Sequence, residues 1–177
     1  MKMTTGLVRA SYVHVFEPKD DLNGVPKYSI SLIIPKGSNT VELYRKHARE
    51  LLADSESQRI LGSNTKGMWE PLRDGDEDRP DDPNYKNSYF VNAKANADHR
   101  PKVLDKDRNE IVDTEDFYSG CWCQAVLSLY VFNKNGKKGV GVGLLAVRKI
   151  KDDAPLGGTA VTDNDWDDSL VDIDDLM

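Results

Sequence analysis

The sequence predicts a mainly β protein, a small antiparallel barrel or sandwich with one inserted α-helix, followed by a disordered acidic C-terminal tail. Three observations carry this expectation. Six or seven short segments rich in β-branched and aromatic residues recur before residue 151, separated by turn residues. Only one segment has helical spacing, and strands do not alternate with helices, which argues against a doubly wound parallel sheet. The acidic residues are also unevenly placed: nine Asp and no Lys or Arg follow Lys151.

The elements follow in order. "LVRASYVHVF" (Leu7–Phe16) reads as a strand, and "DDLNGVP" carries the turn chemistry of Asn23-Gly24 and Pro26. In "KYSISLIIP", Tyr28, Ile30, Leu32 and Ile34 share one phase opposite Ser29 and Ser31, the period of a half-buried strand. Asn39 followed three residues on by Glu42 has capping-box spacing. Val41, Tyr44, Ala48 and Leu51 then recur at helical intervals, so Thr40–Leu52 is expected to be the helix. Gly62–Lys86 shows no period and reads as a long loop, functional or mobile. "SYFVNAKA" restores a strand, and "PKVLDKDRNEIV" a short hairpin around Lys106–Asn109. "FYSGCWCQAVLSLYVF" and "VGVGLLAVRKI", joined by "NKNGKKG", form the strongest hairpin. One helix among short antiparallel strands suits an OB-fold. The expected division is a folded domain over residues 1–151 and a tail over 152–177.

Charge divides the chain the same way. Its net charge is −6, yet the 24 bases all precede residue 152 and face only 21 of the 30 acids there. The body is therefore about +3 and the tail −9, an asymmetry that points to nucleic acid. With no apolar run near the ~18 residues that a membrane span needs, no membrane partner is expected. The N-terminus lacks a signal-peptide core, and the two cysteines lie too close to staple a fold. An intracellular, reducing compartment is expected.

The strand from Cys121 to Phe132 holds the sharpest candidates. Cys121, Cys123, Ala125, Leu127, Leu129 and Val131 make one apolar face. Trp122, Gln124, Val126, Ser128, Tyr130 and Phe132 make the other, a mixed face of the kind that stacks nucleobases, unless a second core layer covers it. Phe90 shares a phase with Asn92 and Lys94 in the earlier strand. Phe90 and Tyr118 join Trp122, Tyr130 and Phe132 as stacking candidates. Lys94, Arg100, Lys102, Lys134, Lys137 and Lys138 are the candidates for phosphate contacts, which need cations along a groove. No metal or cofactor is expected. Cys121-x-Cys123 has no histidine at ligand spacing, and the Asp74-Asp76-Asp78 run lacks the Gly and terminal Glu of a calcium loop.

"YFVNAKANADHRPKVLDKDRNEI", "FYSGCWCQAVLSLYVF" and "KKGVGVGLLAVRKIKDDAPLGG", followed by the acidic terminus, resemble bacteriophage single-stranded DNA-binding proteins of the OB-fold type. Arg100-Pro101, Tyr118-Ser119-Gly120 and Lys138-Gly139-Val140 carry most of the likeness. The resemblance implies a non-enzymatic protein that coats single-stranded DNA in phage replication and recombination, in the cytoplasm of the infected bacterium. It implies an acidic tail that competes with DNA for the groove and contacts phage or host replication and recombination proteins. Trp166, Asp172, Ile173, Asp174, Asp175, Leu176 and Met177 are the tail residues expected to make that contact. Bacterial relatives usually end on phenylalanine, whereas this chain ends Leu176-Met177, so the partner stays unnamed. A homo-oligomer or a cooperative array on DNA is left open. Two rival readings come from other classes: a metal-dependent nuclease using the Asp74–Asp82 loop, and a virion assembly protein with an acidic interaction tail.

Overall fold

The structure, a computed structural model, describes residues 1–156, Trp166 and residues 168–170. Eight strands form one sheet: β1 (Lys2–Thr4), β2 (Val8–Asp20), β3 (Pro26–Pro35), β4 (Arg73–Asp74), β5 (Ser88–Asn96), β6 (Lys102–Leu104), β7 (Trp122–Lys134) and β8 (Lys137–Lys151). Five of them run round a closed barrel in the order β7-β2-β3-β5-β8, with β8 returning to β7. The closure agrees with the expected OB-type barrel. The sequence reading differs in one respect, because the barrel is not wholly antiparallel. β5 meets β8 in parallel at Lys94 and Gly143, and β6 meets β8 in parallel from Lys102–Ala146 to Leu104–Arg148. Such pairings join segments far apart in sequence, and local periodicity does not report them.

Alternation builds the core. Ile30, Leu32 and Ile34 from β3 and Cys123, Ala125, Leu127 and Leu129 from β7 point inward and are buried. Both cysteines are free and fully buried, and burial pushes the Cys121 and Cys123 thiols upward. Helix α1 (Asn39–Ala53) lays Val41, Tyr44, Ala48 and Leu51 on this core. Its cap is Ser38, whose hydroxyl accepts from the Thr40 amide at 3.1 Å, and not Asn39 as the spacing suggested. The Tyr44 hydroxyl donates to Glu70 Oε1 at 2.9 Å, and its pKa is raised by burial and then by that carboxylate.

Two further helices correct the expectation of one. Asp54 caps α2 (Ser55–Leu61) by accepting from the Ser57 amide, and α3 (Gly75–Asp78) is a single turn capped by Asp74. Seven and four residues are too few to show a helical stripe. The stretch read as a patternless loop is in fact pinned. Trp69 bridges to Gly139 of β8, β4 pairs with β5, and Asp82 caps a 3₁₀ turn that buries Tyr85. Tyr85 and Phe90 meet edge to face, ring centroids 5.1 Å apart, over Ile33. This second, smaller core lies on the outside of β3 and β5.

Gly139 is where that loop fastens to the barrel. A Cβ there would lie 2.5 Å from the Trp69 carbonyl oxygen and 2.6 Å from its amide nitrogen. Gly139→Ala should therefore displace residues 69–74 and destabilise the protein by about 1–3 kcal/mol, the usual scale of overpacking. Urea denaturation measures the loss, and hydrogen exchange at the Trp69 and Val140 amides should quicken more than at β3.

Candidate nucleic-acid interface

The outer face of β2, β3 and β5 carries the groove. Strict alternation would turn Tyr12 inward with Val8 and Ala10. The register of β2 against β3 shifts between Ser11 and His14, however, and Val15 rather than an even-numbered residue is buried beyond the shift. This bulge re-aims one side chain. Tyr12 takes φ +46°, a conformation that costs a bulky residue free energy, and its ring stands 52% exposed. On one side of it lies a concavity of about 350 Å³ lined by Ser29, Ser31, Asn92, Lys94 and Arg79. On the other lies one of about 380 Å³, lined by His14, Lys19, Asp82 and Ser119 among others. The Arg79 guanidinium sits 5.3 Å from the centre of the Tyr12 ring. His14, which lines this second concavity of the groove, has its pKa lowered, by burial first and by Lys19 second.

The groove runs into an aromatic and basic cluster at the start of β7. Register places Trp122 beside Arg9 and Arg9 beside Ile33. Arg9 Cζ lies 5.7 Å and Lys151 Nζ 5.3 Å from the Trp122 ring centre, and Lys149 Nζ lies 5.7 Å from that of Tyr118. The segment after β8 lies on this cluster. The Trp122 indole N–H donates to Asp153 Oδ2 at 2.8 Å, and the Tyr118 hydroxyl donates to Asp152 Oδ1 at 2.8 Å. Lys149 reaches Asp152 at 2.7 Å and Arg9 reaches Asp153 at 3.6 Å. The Leu156 amide donates to the Ser119 carbonyl, and its side chain packs on the Ile33, Tyr85 and Phe90 cluster. Residues 152–156 thus lie against the barrel, with two carboxylates where the groove meets its cations.

The predicted site residues separate into groups. Trp122 and Phe132 are half-buried and Tyr130 is 49% exposed, on the outward phase expected of them. The Tyr130 ring lies across Gly141, where a Cβ would come within 2.4 Å of it. Tyr118 is half-buried beneath Asp152 and Asp153. Lys94, Arg100, Lys102, Lys134 and Lys137 are exposed. One expectation is corrected. Phe90 is only 3% exposed, covered by Tyr85 and by Arg79 at 4.9 Å, so it belongs to the small outer core and cannot stack a base. Lys138 is half-buried and donates one ammonium hydrogen to the Leu61 carbonyl at the end of α2 at 2.6 Å. Trp166 is exposed, while Asp172, Ile173, Asp174, Asp175, Leu176 and Met177 lie outside the described residues.

Sequence reasoning missed Tyr12, Arg9, Arg79, Lys149, Lys151 and the 51%-exposed Trp69. The available signal for Tyr12 was the change of apolar phase between Ala10 and Val15. The acidic loop does not assemble as a nuclease site. Lys36 pairs with Asp74 and Asp76, Arg73 pairs with Asp78, and Asp82 caps its turn. Among the described residues no cluster of His, Cys, Asp and Glu could hold a metal ion, and no helix is long and apolar enough to cross a membrane.

Comparison with known proteins accords with this geometry. The family model for the single-stranded DNA-binding protein of Enterobacter phage Enc34 matches residues 1–177. The structure of that phage's protein in complex with single-stranded DNA superposes with a TM-score of 0.75 at 29% identity, covering 88% of this chain and 89% of that one. A C-terminal truncation of the same protein gives 0.73 at 29% identity, covering 88% of each. The single-stranded DNA-binding protein gp2.5 of bacteriophage T7 shares the fold, with a TM-score of 0.59 at 16% identity over 92% of this chain and 98% of that one.

The carboxylate contacts yield a pH prediction. The Asp152 pKa is lowered chiefly by the hydrogen bond from Lys149 and then by that from Tyr118, and the Asp153 pKa chiefly by that from Trp122. A depressed carboxylate pKa means that the contact is complete above the ordinary Asp value and is lost only as pH falls through the lowered one. The Trp122 indole N–H resonance should hold its position as pH falls through the ordinary Asp range and move only below it.

Proposed function

Because the chain belongs to the family of single-stranded DNA-binding proteins represented by that of Enterobacter phage Enc34, we propose that it coats single-stranded DNA without sequence preference during phage replication and recombination. The setting is the cytoplasm of the infected bacterium. The observation that carries this reading is the bulge that spends backbone strain to hold Tyr12 open at the centre of a cationic groove. Bases stack on Tyr12 and Trp122, since every base has a π-face and each stack is worth about 1–3 kcal/mol. Lys94 and Arg9 neutralise phosphates along the strand, with Arg100, Lys102, Lys134 and Lys137 available beyond the groove. No recognition helix is present among the described elements to read base edges, which favours binding without sequence preference.

The acidic tail closes the groove until DNA displaces it. Asp152 and Asp153 already take hydrogen bonds and ion pairs that phosphate oxygens could take. Residues 157–177 add seven Asp to this competition. Once displaced, the tail offers Trp166, Ile173, Leu176 and Met177 to a replication or recombination partner.

A salt-titrated mobility shift tests the reading. Single strands should be preferred to duplex, with the log–log salt slope gaining about −0.7 for each phosphate neutralised. A flat salt response or a preference for duplex would sink it. Tyr12→Ala and Trp122→Ala should each lower affinity by about 1–3 kcal/mol while the circular dichroism spectrum is unchanged. Asp152→Asn with Asp153→Asn should raise affinity for single strands, and so should removal of residues from Gly157 onward. The gain from truncation should be largest at low salt, because the screening length is only about 10 Å at 0.1 M. Truncation should also abolish pull-down of the partner.

A further inference from the structure

Strand β2 borders the groove along its length, and each of its ends leads to a feature that takes no part in the groove. At the far end, past Tyr12, His14 and Lys19, the turn from β2 to β3 carries Leu22 at its tip, fully exposed, with Val25 46% exposed beside it. A single exposed leucine is ordinary. This one stands on a turn that four hydrogen bonds fix. The Asp21 carboxylate accepts from the Asn23 and Val25 amides at 2.8 and 3.0 Å. The Gly24 amide donates to the Asp21 carbonyl, and the Asp21 amide donates to the Val25 carbonyl. The stretch from Asp20 to Pro26, "DDLNGVP", holds two acids and no base.

Beyond the other end lies a cleft. β1 continues the row that β2 begins on β7, Arg9 pairing with Trp122 and Thr4 with Val126. There Thr4, Leu104, Arg108, Val126 and Ala146 border a cleft of about 240 Å³. Its floor of Leu104, Val126 and Ala146 is apolar and only half-buried. At its rim stands Arg108, exposed and at φ +69°. Residues 105–109 repeat the hydrogen bonds of the Asp21 turn. Asp105 Oδ1 accepts from the Asp107 and Asn109 amides, the Arg108 amide donates to the Asp105 carbonyl, and the Asp105 amide donates to the Asn109 carbonyl. Arg108 thus occupies the position that Gly24, at φ +75°, fills in the other turn. A left-handed arginine costs free energy that a glycine would not. The strain is tolerated where it holds a cation at the mouth of an apolar cleft.

We propose that the β2–β3 tip of one copy docks in this cleft of a second copy, so that copies on one single strand form a head-to-tail array. Leu22 enters the floor of Leu104, Val126 and Ala146, and Asp20 meets Arg108. Charge favours this occupant: the tip carries two acids, and Arg108 and Lys102 are exposed beside the cleft. Position favours it too. Tip and cleft lie beyond opposite ends of β2, whose thirteen residues span up to about 40 Å, so the tip does not reach the cleft of its own chain. A strand threading successive grooves brings the tip of one copy to the cleft of the next. Contact between two different patches repeats along a line instead of closing on itself. The six residues of the tip are well short of the roughly 20–30 per side of a stable interface, so the contact does not hold copies together in free solution. On one strand, neighbours are held at effective concentrations on the order of millimolar, where a weak contact couples them. The array rests on the proposed binding of single-stranded DNA.

The test uses the full chain and two lengths of oligothymidylate. A one-site oligonucleotide, within the roughly 4–16 nucleotides that an OB-fold covers, reports the groove alone, and one several sites long reports groove and array together. The unaltered chain should bind the long one more tightly per site. Leu22→Ser, and Arg108→Gly, which relieves the left-handed turn, should each leave affinity for the short oligonucleotide unchanged and lower that for the long one by about tenfold. Cys121 and Cys123 are fully buried, so added thiols react selectively. On the long oligonucleotide, a mixture of Leu22→Cys and Thr4→Cys chains should form disulfide-linked dimers under mild oxidation, and neither chain alone should. Equal loss at both lengths would make Leu22 a contact to DNA and overturn the proposal. So would equal per-site affinity of the unaltered chain at both lengths, or linkage of Leu22→Cys chains to one another. If the unaltered chain bound neither oligonucleotide, the proposed binding of single strands would itself fall, and the array with it.

Discussion

The second edge of β8 is the constraint on which the rest of the molecule depends. β7 pairs with one edge along its whole length, but no single strand covers the other. An open edge leaves backbone donors and acceptors unpaired. The chain satisfies it in three pieces: Trp69 at Gly139, β5 at Gly143, and β6 from Ala146 to Arg148. Alternate glycines make this feasible, because Gly139 admits the Trp69 backbone and Gly141 leaves room for the Tyr130 ring. The outward face near the hairpin tip is consequently flat and aromatic. Beyond the register shift at Leu145 it turns to Ala146 and Arg148 and becomes concave. One closure problem thus shapes both surfaces of the hairpin.

The loop that helps to close β8 also decides which aromatic residues are free. Arg79 lies within 4.8, 4.9 and 5.3 Å of the ring centres of Tyr85, Phe90 and Tyr12. Cation–π contacts contribute about 0.5–1 kcal/mol when exposed and about 2 when desolvated. The two buried rings therefore hold the guanidinium more firmly than the exposed one does. Arg79 is anchored by the small core and presents its remaining face to Tyr12, so loop packing and groove geometry share a single side chain.

Much of this was legible from periodicity, and the exceptions have physical causes. The inward row Cys121–Leu129 and the stripe Val41–Leu51 were plain because alternation and helical spacing run there unbroken. Tyr12 was hidden because a bulge reverses the phase of β2 midway. Phe90 was misassigned because its cover, Tyr85 and Arg79, comes from a segment without period, held by Asx caps that each involve only a few residues. Lys138 looked like any turn lysine, since nothing local indicates that the end of α2 would present the Leu61 carbonyl to it. Charge asymmetry announced a groove and a tail but could not say where they meet. That meeting point, Asp153 on Trp122, joins residues thirty-one apart.

The chemistry of that contact determines how the proposed competition depends on salt. Attraction between a −9 tail and a +3 body is long-ranged and is screened within about 10 Å at 0.1 M salt. The root contacts are different. Asp153 accepts from the neutral indole N–H of Trp122, and Asp152 accepts from the neutral hydroxyl of Tyr118, each at 2.8 Å. These hydrogen bonds from neutral donors depend on geometry, whereas the ion pairs of Asp152 with Lys149 and of Asp153 with Arg9 are screened by salt as the rest of the tail is. Under the proposed function, rising salt would therefore release residues 157–177 from the groove before it released residues 152–156. On the same proposal DNA would face the same asymmetry, since its phosphate contacts would weaken with salt while stacking on Tyr12 and Trp122 would not. At the Trp122 cluster, both proposed competitors would thus retain a part that salt does not remove. The outcome there rests on one indole, which can offer its edge to a carboxylate or its face to a base.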